Sequence, residues 1–395
     1  MKLNLIIPSF YPAVVYGGPI FSTLYVCREL SKFENIELYV STTNTNMTSK
    51  LDVGPNKWLK FENFYVKYYD ETIIDKFSFS LFKNIHKDIK NSDVVHIQGI
   101  FNTPIPISLF WCRIFKKPTM LSPRGSLGRW PLSHGNKFKK IWLKLFIKPF
   151  SKNVVWHVTS NQEKNEVLDL FPDAKIKIIP NGIYVEEFSQ YNFLTKEEFL
   201  KIYAKKEVKK IDKLVISMGR LQQKKGFDIL IDAFYKVLDK FPNSYLFIAG
   251  PDEGEKDKLI KQIKKLNIED KVFFTGNLKG KKKINFLANA DLFVLPSHNE
   301  NFGNVYLESL ACGTPIIASK NTPWEMVEKY NCGKWVENSI EETARAVEEM
   351  LNIDKEQIKN NCVNLAKQYD WSNIAKEFVK TYEDMKKGQI NGEKS

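Results

Sequence analysis

The sequence predicts an α/β protein of two Rossmann-like domains, each a doubly wound parallel sheet, that face each other across a cleft. Short apolar runs rich in β-branched residues alternate with longer segments of helical periodicity, as in β-α units around a parallel sheet. This alternation occurs twice along the chain. The length of 395 residues also exceeds the usual size of one hydrophobic core, which favours two domains.

The first series of predicted strands precedes residue 183, and each run ends in turn-forming or polar residues. The runs are KLNLIIP (2–8), IELYVS (36–41), DVVHIQG (93–99), PTMLSPR (118–124), VVWHVTS (154–160) and IKIIPNG (176–182). The chain start, MKLNLIIPSFYP, is interrupted by Pro8 and Pro12. We therefore expect a buried first strand there rather than a signal peptide.

The second series of predicted strands follows a Lys-rich stretch, residues 195–213, that lacks a strong strand pattern. Its runs are KLVISMGR (213–220), SYLFIAGP (244–251), KVFFTGN (271–277), DLFVLPS (291–297) and TPIIAS (314–319). Three amphipathic helices are predicted after it, within 339–352, 355–369 and 371–387. We place the domain boundary just before the Lys-rich stretch, with domains at 1–190 and 191–371.

Composition narrows the classes of protein to consider. The net charge of +13 predicts attraction to an anionic partner, which leaves nucleic acid, a lipid surface and a phosphorylated small molecule open. Five scattered cysteines without a C-x-x-C pair argue against a disulfide framework or a zinc site and favour reducing cytoplasm. No apolar run approaches the roughly 18 to 20 residues that cross a bilayer, so any membrane contact is expected to be peripheral.

The stretch HNENFGNVYLESLACGTPIIAS (298–319) holds two glutamates eight positions apart. Glu300 follows the run DLFVLPS, and a helix is expected to begin near Gly303. The unpaired amides and positive dipole end of a helix N-terminus suit a phosphate, and Glu308 can turn back to accept hydrogen bonds from hydroxyls. The alternative is that Glu300 is an N-terminal helix acid and Glu308 a solvated surface residue.

The stretch GRLQQKKGFDIL (219–230) places Arg220 and Lys225 directly after another strand of the same predicted sheet. Cations at that position can grip a diphosphate. Lys224 competes for the lysine role, and ordinary surface charge is the alternative. Because both stretches follow strands of one sheet, we expect their side chains to converge at its carboxyl edge.

Together these residues resemble a known family. GRLQQKKGFDILIDAF, HNENFGNVYLESLACGTPIIAS, IPNGI, YGGPIFSTLYVCREL and DVVHIQG are similar to motifs of the retaining glycosyltransferases of family 4, which have the GT-B fold. The resemblance extends over nearly the whole chain. It implies sugar transfer from a UDP- or GDP-sugar to a saccharide or lipid-linked acceptor, with retention of anomeric configuration and a role in bacterial surface polysaccharide synthesis such as lipopolysaccharide, capsule or exopolysaccharide. It also implies that a final helix, 372–390, packs back on the first domain.

The resemblance assigns roles residue by residue. Four residues are implied in catalysis: Glu300, His96, Arg220 and Lys225. Arg220 and Lys225 neutralise the diphosphate, Glu300 contacts the donated sugar, and Glu308 binds the ribose. The other implied donor-binding residues contribute mainly backbone groups and are Gly17, Gly18, Gly276, Asn277, Phe302, Gly303 and Asn304.

His96 and Gln98 lie on one predicted strand of the first domain. A lone strand histidine is commonly a satisfied core residue, but the family resemblance favours a histidine that faces the sugar. Many relatives carry a second histidine where this chain has Gln98, which leaves open how the sugar or acceptor is held there.

Two further stretches suggest contacts of the first domain. SPRGSLGRW places Arg124 and Arg129 after another strand, on the expected acceptor side, and surface solvation explains both equally well. The segment 137–150 carries Lys137, Lys140, Lys144 and Lys148 at helical spacing, with Phe138, Ile141, Trp142 and Leu145 on another face. Such a helix either lies on an anionic membrane surface or packs on the core with solvated lysines.

No D-x-D triplet occurs, so we expect no catalytic metal and no cofactor apart from the nucleotide-sugar substrate. A nucleotide-sugar epimerase or a sugar phosphorylase of the same architecture is the first alternative. A basic, non-enzymatic membrane- or nucleic-acid-binding protein is the second. The lysines are dispersed and no zinc-finger or aromatic RNA-binding signature appears, so nucleic acid is not expected as a partner.

Overall fold

The computed structural model describes residues 1–72, 77–128, 138–208 and 210–389. The chain divides into two compact units. Unit 1 combines Met1–Gly182 with Trp371–Ser395, and unit 2 is Ile183–Asp370. The division lies at residues 182 and 183 rather than near residue 190, because Ile183 and Val185 are already buried in the core of unit 2.

Unit 1 is built on a large, mostly parallel sheet. Its strands are β1 Lys2–Ser9, β2 Glu37–Thr43, β5 Trp58–Phe61, β6 Phe64–Tyr69, β7 Val94–Gln98, β8 Thr119–Ser122, β9 Val155–Val158 and β10 Lys175–Ile178; β3 Thr45–Asn46 and β4 Ser49–Lys50 form a separate small ribbon. The sheet order is β10-β9-β8-β7-β1-β2-β6-β5, and only β5 and β6 pair antiparallel. The order therefore reverses between β7 and β1, which is where a doubly wound sheet opens a crevice.

The helices of unit 1 cover this sheet. They are Gly18–Leu30, Phe79–Lys90, Pro104–Ile114, Phe138–Trp142, Asn161–Leu170 and Trp371–Lys386, with a π-helical turn at Leu143–Ile147 and a 3-10 turn at Val14–Tyr16. The core strands β1, β7, β8 and β9 are buried almost along their whole length, as expected for parallel strands with helices on both faces. The final helix begins at Trp371 and belongs to unit 1.

Unit 2 is built on a six-stranded, fully parallel sheet. Its strands are β11 Leu214–Met218, β12 Tyr245–Ala249, β13 Val272–Gly276, β14 Leu292–Leu295, β15 Ile316–Ser319 and β16 Gly333–Val336. The sheet order is β13-β12-β11-β14-β15-β16. Counted along the chain this is third, second, first, fourth, fifth, sixth, which is the order of a dinucleotide-binding sheet. The order reverses between β11 and β14.

The helices of unit 2 are Val185–Ser189, Lys196–Ala204, Phe227–Val237, Lys256–Lys265, Gly280–Ala288, Asn304–Ala311, Met326–Lys329, Ile340–Leu351 and Lys355–Lys367, with a 3-10 turn at Gln223–Lys225. The Lys-rich stretch 195–213 starts with a helix capped reciprocally by Thr195 and Glu198. Phe199 and Leu200 on that helix are buried in the core, so this stretch is part of unit 2.

Both units are doubly wound sheets with helices packed on them, which confirms the predicted fold class. Every predicted strand run overlaps a strand of the structure. The hairpin of β5 and β6 and the edge strand β16 were not predicted. In the described part of the chain, no helix combines the length and the apolarity needed to pass through a bilayer.

Candidate active site

The loops after β11 and β14 meet at the point where the sheet order of unit 2 reverses. The backbone amide of His298 donates to the carbonyl of Lys224 at 2.9 Å, which ties the two loops together. Ligands of doubly wound sheets bind beyond the carboxyl ends of the strands at such a point. The fold therefore brings the stretches 219–230 and 298–319 together.

Two glycines let the strand ends approach this closely. Gly226 has a φ of +66°, and a Cβ there would lie 2.1 Å from the carbonyl oxygen of Pro296. Gly250 has a φ of +148°, and a Cβ there would lie 1.8 Å from the carbonyl oxygen of Gly219. Any larger residue at these positions would push apart the loops that follow β11, β12 and β14.

Lys225 and Glu300 form a mostly buried ion pair at the centre of the candidate site. The Lys225 ammonium donates a hydrogen bond to Glu300 Oε1, and Ser297 Oγ donates to the same oxygen at 3.0 Å. The two charged side chains are only 14% and 10% exposed. The pair joins the loop after β11 to the loop after β14, as the sequence predicted.

The ion pair changes the acidity of Glu300. Burial acts to raise the pKa of its carboxyl, but the positive charges of Lys225 and Lys224 and the hydrogen bonds from Lys225 and Ser297 outweigh burial. The pKa of Glu300 therefore lies below its usual value. The side chain is a carboxylate that can accept hydrogen bonds from a ligand.

Arg220 lies at the same strand end but points to another partner. Its Nη1 contacts Glu253 at 3.1 Å, and its side chain is 62% exposed. Gln222 Nε2 donates to the second oxygen of Glu253 at 3.1 Å. The predicted convergence therefore holds for Lys225 and Glu300, whereas Arg220 is held outward by Glu253.

The helix Asn304–Ala311 begins beside Glu300. Gly303 caps it with a φ of +74°, and a Cβ there would lie 2.7 Å from the ring of Tyr306. The Tyr306 hydroxyl donates to the carbonyl of Leu295 at 2.6 Å, which fixes the helix to the end of β14. Phe302 is buried, and its carbonyl accepts from the Trp324 indole at 2.6 Å. The positive end of this helix is thus held at the crevice.

Glu308, Gly276 and Asn277 are further residues predicted to bind the donor. Glu308 pairs with Lys283 at 2.5 Å, and its side chain is 18% exposed, so it is not a freely solvated surface residue. Gly276 ends β13 with a φ of +73°, and a Cβ there would meet no atom within 4 Å. Asn277 follows it and is exposed. The ribose-binding role of Glu308 and the donor-binding roles of Gly276 and Asn277 stay predictions.

In unit 1, Gly17 and Gly18 lie at the start of a helix. Gly17 has a φ of +73° and caps the helix Gly18–Leu30, and a Cβ at Gly17 would meet no atom within 4 Å. The backbone is therefore open to close approach at this helix N-terminus.

His96 occupies the core of unit 1 and is fully buried. Its Nδ1 lies 2.7 Å from the Tyr382 hydroxyl and its Nε2 lies 2.7 Å from Ser122 Oγ. Ser122 Oγ also lies 2.6 Å from His157 Nδ1, and His157 Nε2 lies 2.8 Å from the carbonyl of Ile179. The carbonyl of Ile179 can only accept, so His157 Nε2 donates to it. In the one consistent assignment the Tyr382 hydroxyl then donates to His96 Nδ1, His96 Nε2 donates to Ser122 Oγ, and Ser122 Oγ donates to His157 Nδ1.

This hydrogen-bond chain uses both ring nitrogens of each histidine. Burial lowers the pKa of His157 to about 3 and that of His96 well below its usual value, so both rings are neutral. Such an arrangement favours the satisfied core histidine over a catalytic His96 that faces the sugar.

Gln98 and Arg124 are in contact at the carboxyl edge of the same sheet. Arg124 donates to Gln98 Oε1 through Nε at 3.1 Å and through Nη2 at 2.7 Å, and its Nη1 donates to Asn181 Oδ1 at 3.2 Å. Arg124 is therefore not a solvated surface charge. Arg129 lies outside the described residues.

Sequence reasoning missed three residues that shape the candidate site of unit 2. Ser297 was quoted only as the end of a strand, although a hydroxyl three residues before Glu300 is within reach of its carboxylate. Glu253 and Lys283 pair with Arg220 and Glu308 from loops or helices far along the chain, and no local pattern indicates either contact.

Two family models match, one on each half of the chain. The model for Glycosyl transferases group 1 matches residues 199–369, and the model for Glycosyltransferase Family 4 matches residues 16–187. The chain belongs to the group 1 glycosyltransferases. The matches cover most of both units and confirm the family resemblance that the motifs indicated.

Individual proteins resemble this group 1 glycosyltransferase over parts of their length. An uncharacterised glycosyltransferase of Methanocaldococcus jannaschii is 34% identical over 230 residues, which are 56% of this chain and 58% of that protein. The lipopolysaccharide core biosynthesis glycosyltransferase LpsE of Rhizobium meliloti is 38% identical over 141 residues, which are 35% of this chain and 39% of that protein. The matched regions thus span less than two thirds of these relatives.

Among solved structures, Anabaena HepE in complex with UDP matches with a TM-score of 0.72 at 18% identity. The match covers 97% of this chain and all of that chain. It confirms the GT-B fold class. In the part of this group 1 glycosyltransferase that the structure describes, no three His, Cys, Asp or Glu side chains are grouped as metal ligands.

Proposed function

We propose that this chain transfers a sugar from a UDP- or GDP-sugar to a saccharide acceptor, with retention of anomeric configuration and without a metal ion. One observation carries the proposal: the Lys225–Glu300 ion pair lies where the sheet order of unit 2 reverses, beside the N-terminus of the helix Asn304–Ala311. A cation, a carboxylate and a positive helix end there match a ligand with a diphosphate and sugar hydroxyls.

The ion pair leaves groups for such a donor substrate. The Lys225 ammonium has three N–H groups, of which one points to Glu300, so the others are available to diphosphate oxygens. Among the residues that the structure describes, both side-chain hydrogen bonds to the Glu300 carboxylate go to Oε1, which leaves Oε2 to accept from a sugar hydroxyl. Arg220 would exchange Glu253 for phosphate when the diphosphate binds.

These groups act on the leaving group. As the bond between the sugar and the diphosphate breaks, negative charge grows on the β-phosphate, and Lys225 with the helix amides stabilises it. A departing phosphate oxygen then takes the proton of the acceptor hydroxyl, which attacks from the same face. This route retains the anomeric configuration and needs no protein nucleophile.

We propose a bacterial surface polysaccharide as the product pathway, such as lipopolysaccharide, capsule or exopolysaccharide. The name of LpsE, a lipopolysaccharide core glycosyltransferase, supports this assignment. An acceptor of this kind, attached to a lipid, would place the enzyme on the inner face of the plasma membrane.

A surface of unit 1 supports peripheral membrane binding. Four apolar side chains of residues 138–147 are exposed by 42% to 69%, and three lysines around them are exposed too: Phe138, Ile141, Leu145 and Phe146, with Lys140, Lys144 and Lys148. Leu143 and Ile147 are buried and attach the segment to the core. We call this the basic apolar surface and propose that it contacts anionic lipid. Lys137 lies outside the described residues.

Donor turnover tests the transfer reaction. We expect Lys225→Ala and Glu300→Ala each to lower turnover of the UDP- or GDP-sugar by roughly 10²-fold, the scale of a lost transition-state electrostatic contact. Lys236→Ala, which breaks an exposed ion pair with Glu341 in the same unit, is the matched control and should leave turnover unchanged. Near-normal turnover in the two site variants would refute the assignment.

The same assay separates transfer from its alternatives. A glycosyltransferase consumes the donor faster when the acceptor is present, whereas an epimerase consumes it without an acceptor. The anomeric configuration of the product, read from its NMR coupling constants, tests retention. An inverted product would contradict the mechanism proposed above.

Sedimentation with vesicles tests the basic apolar surface. Binding should need acidic lipid and should fall when Lys140, Lys144 and Lys148 are changed to glutamate. Reversing three exposed lysines of the helix Lys256–Lys265, namely Lys261, Lys264 and Lys265, is the control with equal charge. Equal binding by both triple variants, or equal binding to neutral vesicles, would contradict the proposal.

A further inference from the structure

Unit 1 carries a second polar cluster where the order of its own sheet reverses. Gln98 is the last residue of β7, and Arg124 follows β8 by two residues. β7 neighbours β1, whose following loop leads to Gly17 and the helix Gly18–Leu30. The cluster therefore occupies the position at which a doubly wound sheet binds its ligand.

The Gln98 side chain has only one consistent orientation. Arg124 donates two hydrogen bonds to Gln98 Oε1. A guanidinium has only donors, so the Gln98 atom that faces it must be the amide oxygen. Thr23 Oγ1 also lies 2.9 Å from that oxygen. Exchanging the amide oxygen and nitrogen would set Nε2 against the Arg124 donors. The oxygen is therefore held by Arg124, and Nε2 points elsewhere.

Gln98 Nε2 has no hydrogen-bond partner among the residues that the structure describes. The side chain is buried, with 1% of the residue exposed. Buried polar groups nearly always find partners, and an unpaired amide that carries two N–H groups calls for an acceptor atom supplied from outside the protein.

Arg124 likewise has no direct carboxylate partner among the described residues. Its hydrogen bonds go to neutral oxygens of Gln98 and Asn181, and within the described ranges no carboxylate lies at ion-pair distance from it. The acidic residue that acts most strongly on the Arg124 charge is Glu163, whose oxygens accept from the amides of Gly125 at 2.6 Å and Thr159 at 2.8 Å. A partly buried cation without a carboxylate partner attracts an anionic ligand.

We propose that Gln98 and Arg124 form a subsite for an oxyanion carried by the acceptor, either a phosphate or a carboxylate. Arg124 supplies the charge, and Gln98 Nε2 donates a hydrogen bond to one of the oxyanion oxygens. The subsite rests on the proposed function, because it assigns an acidic group to the acceptor of that reaction. It makes Gln98 a specificity-determining residue.

Gln98→Glu is the most informative variant. The new carboxylate has nearly the same shape as the amide, but it lacks the Nε2 donors. It also pairs with Arg124 and so neutralises the positive charge that an anionic ligand would bind. We expect its urea midpoint to equal or exceed that of the unsubstituted protein. Gln98→Met, which removes the donors without adding charge, is the second variant. Arg28→Gln, which breaks an exposed ion pair with Glu62 in unit 1, is the control.

Equilibrium dialysis of the full chain with labelled inorganic phosphate measures the subsite, with UDP in excess so that donor phosphates occupy unit 2. We expect saturable binding that Gln98→Glu and Gln98→Met weaken by at least about tenfold, the scale of one charge-assisted hydrogen bond, and that Arg28→Gln leaves unchanged. Competition by glucuronate, but not by glucose, would identify a carboxylate as an equally good occupant. Competition by neither identifies phosphate.

Equal phosphate binding by all four proteins, or no saturable binding, would overturn the subsite. UDP binding, followed in the same samples, reports on unit 2 separately. Retained UDP binding with no effect of Gln98 would remove the subsite and leave the proposed function standing. A protein that binds phosphate as expected but does not bind UDP would keep the subsite and remove the proposed function.

Discussion

Replacing Lys225 by methionine tests whether the Lys225–Glu300 ion pair contributes to stability as a buried pair or as an exposed one. The variant keeps a long side chain but leaves the Glu300 carboxylate with the Ser297 hydroxyl as its one remaining donor in the described part of the chain. Breaking a buried ion pair costs about 3 to 5 kcal/mol, whereas an exposed pair contributes about 0.2 to 1 kcal/mol. Since the side chains are 14% and 10% exposed, we expect a loss near the lower buried value, about 3 kcal/mol at neutral pH.

The loss should depend on pH with a defined sign. In the unsubstituted protein the pKa of Glu300 is lowered, so its stabilising contribution is present above the pKa of the unfolded chain and disappears as pH falls through the folded value. Without Lys225, burial raises that pKa, and the carboxyl protonates at a higher pH. The difference in unfolding free energy between the two proteins is therefore largest at neutral pH and shrinks toward pH 4.

Urea unfolding at several pH values measures this difference. Lys236→Met, at an exposed pair with Glu341, is the control and should cost less than about 1 kcal/mol. The double variant Lys225→Met with Glu300→Gln completes a cycle, and we expect its coupling energy to exceed about 2 kcal/mol. A cost equal to that of the control, or effects that add within about 0.5 kcal/mol, would refute the reasoning.

Three other predictions concern packing and burial. Gly226→Ala should lower the free energy of unfolding of unit 2 by about 3 kcal/mol or more in urea, because the new Cβ would clash with the Pro296 carbonyl at a positive φ. Gly254→Ala, which has open space around it, is the control and should cost about 1 kcal/mol. Equal costs for the two variants would contradict this prediction. Tyr382→Phe should cost about 1 to 3 kcal/mol by leaving His96 Nδ1 unpaired, and an unchanged urea midpoint would show that the hydroxyl is not needed. All five cysteines are buried, so a thiol reagent at pH 8 should label them only as the protein unfolds, and fast labelling of the native protein would contradict their burial.

The contact between Lys225 and Glu300 could be predicted because it follows from topology. Both residues come directly after strands of one parallel sheet, and the carboxyl ends of such strands share an edge. The partner of Arg220 could not be predicted in this way. Glu253 lies in the loop after β12, and the direction in which an exposed side chain turns depends on loop geometry that local sequence does not determine.

His96 shows a different limit of the sequence. A strand buried on both faces gives no alternation of polar and apolar residues, so nothing local tells which layer a side chain enters. The deciding partner, Tyr382, lies 286 residues away on the last helix. The hairpin of β5 and β6 was missed because its turn lacks the residues that usually indicate one. Its residues WLKFENFYVKYY contain no glycine or proline, and Glu62 makes the turn with a φ of +53°.

The discontinuity of unit 1 has a consequence for biosynthesis. Unit 2 leaves the ribosome whole, while unit 1 still lacks the helix Trp371–Lys386 that supplies Tyr382 and Phe378 to its interior. The two ends of unit 2 are paired with each other, through the Ile183 amide and the Tyr369 carbonyl at 2.9 Å. Unit 2 is therefore suited to expression as a separate fragment. A product ending at residue 182 would instead expose the apolar surface that the helix Trp371–Lys386 covers, and we expect it to aggregate.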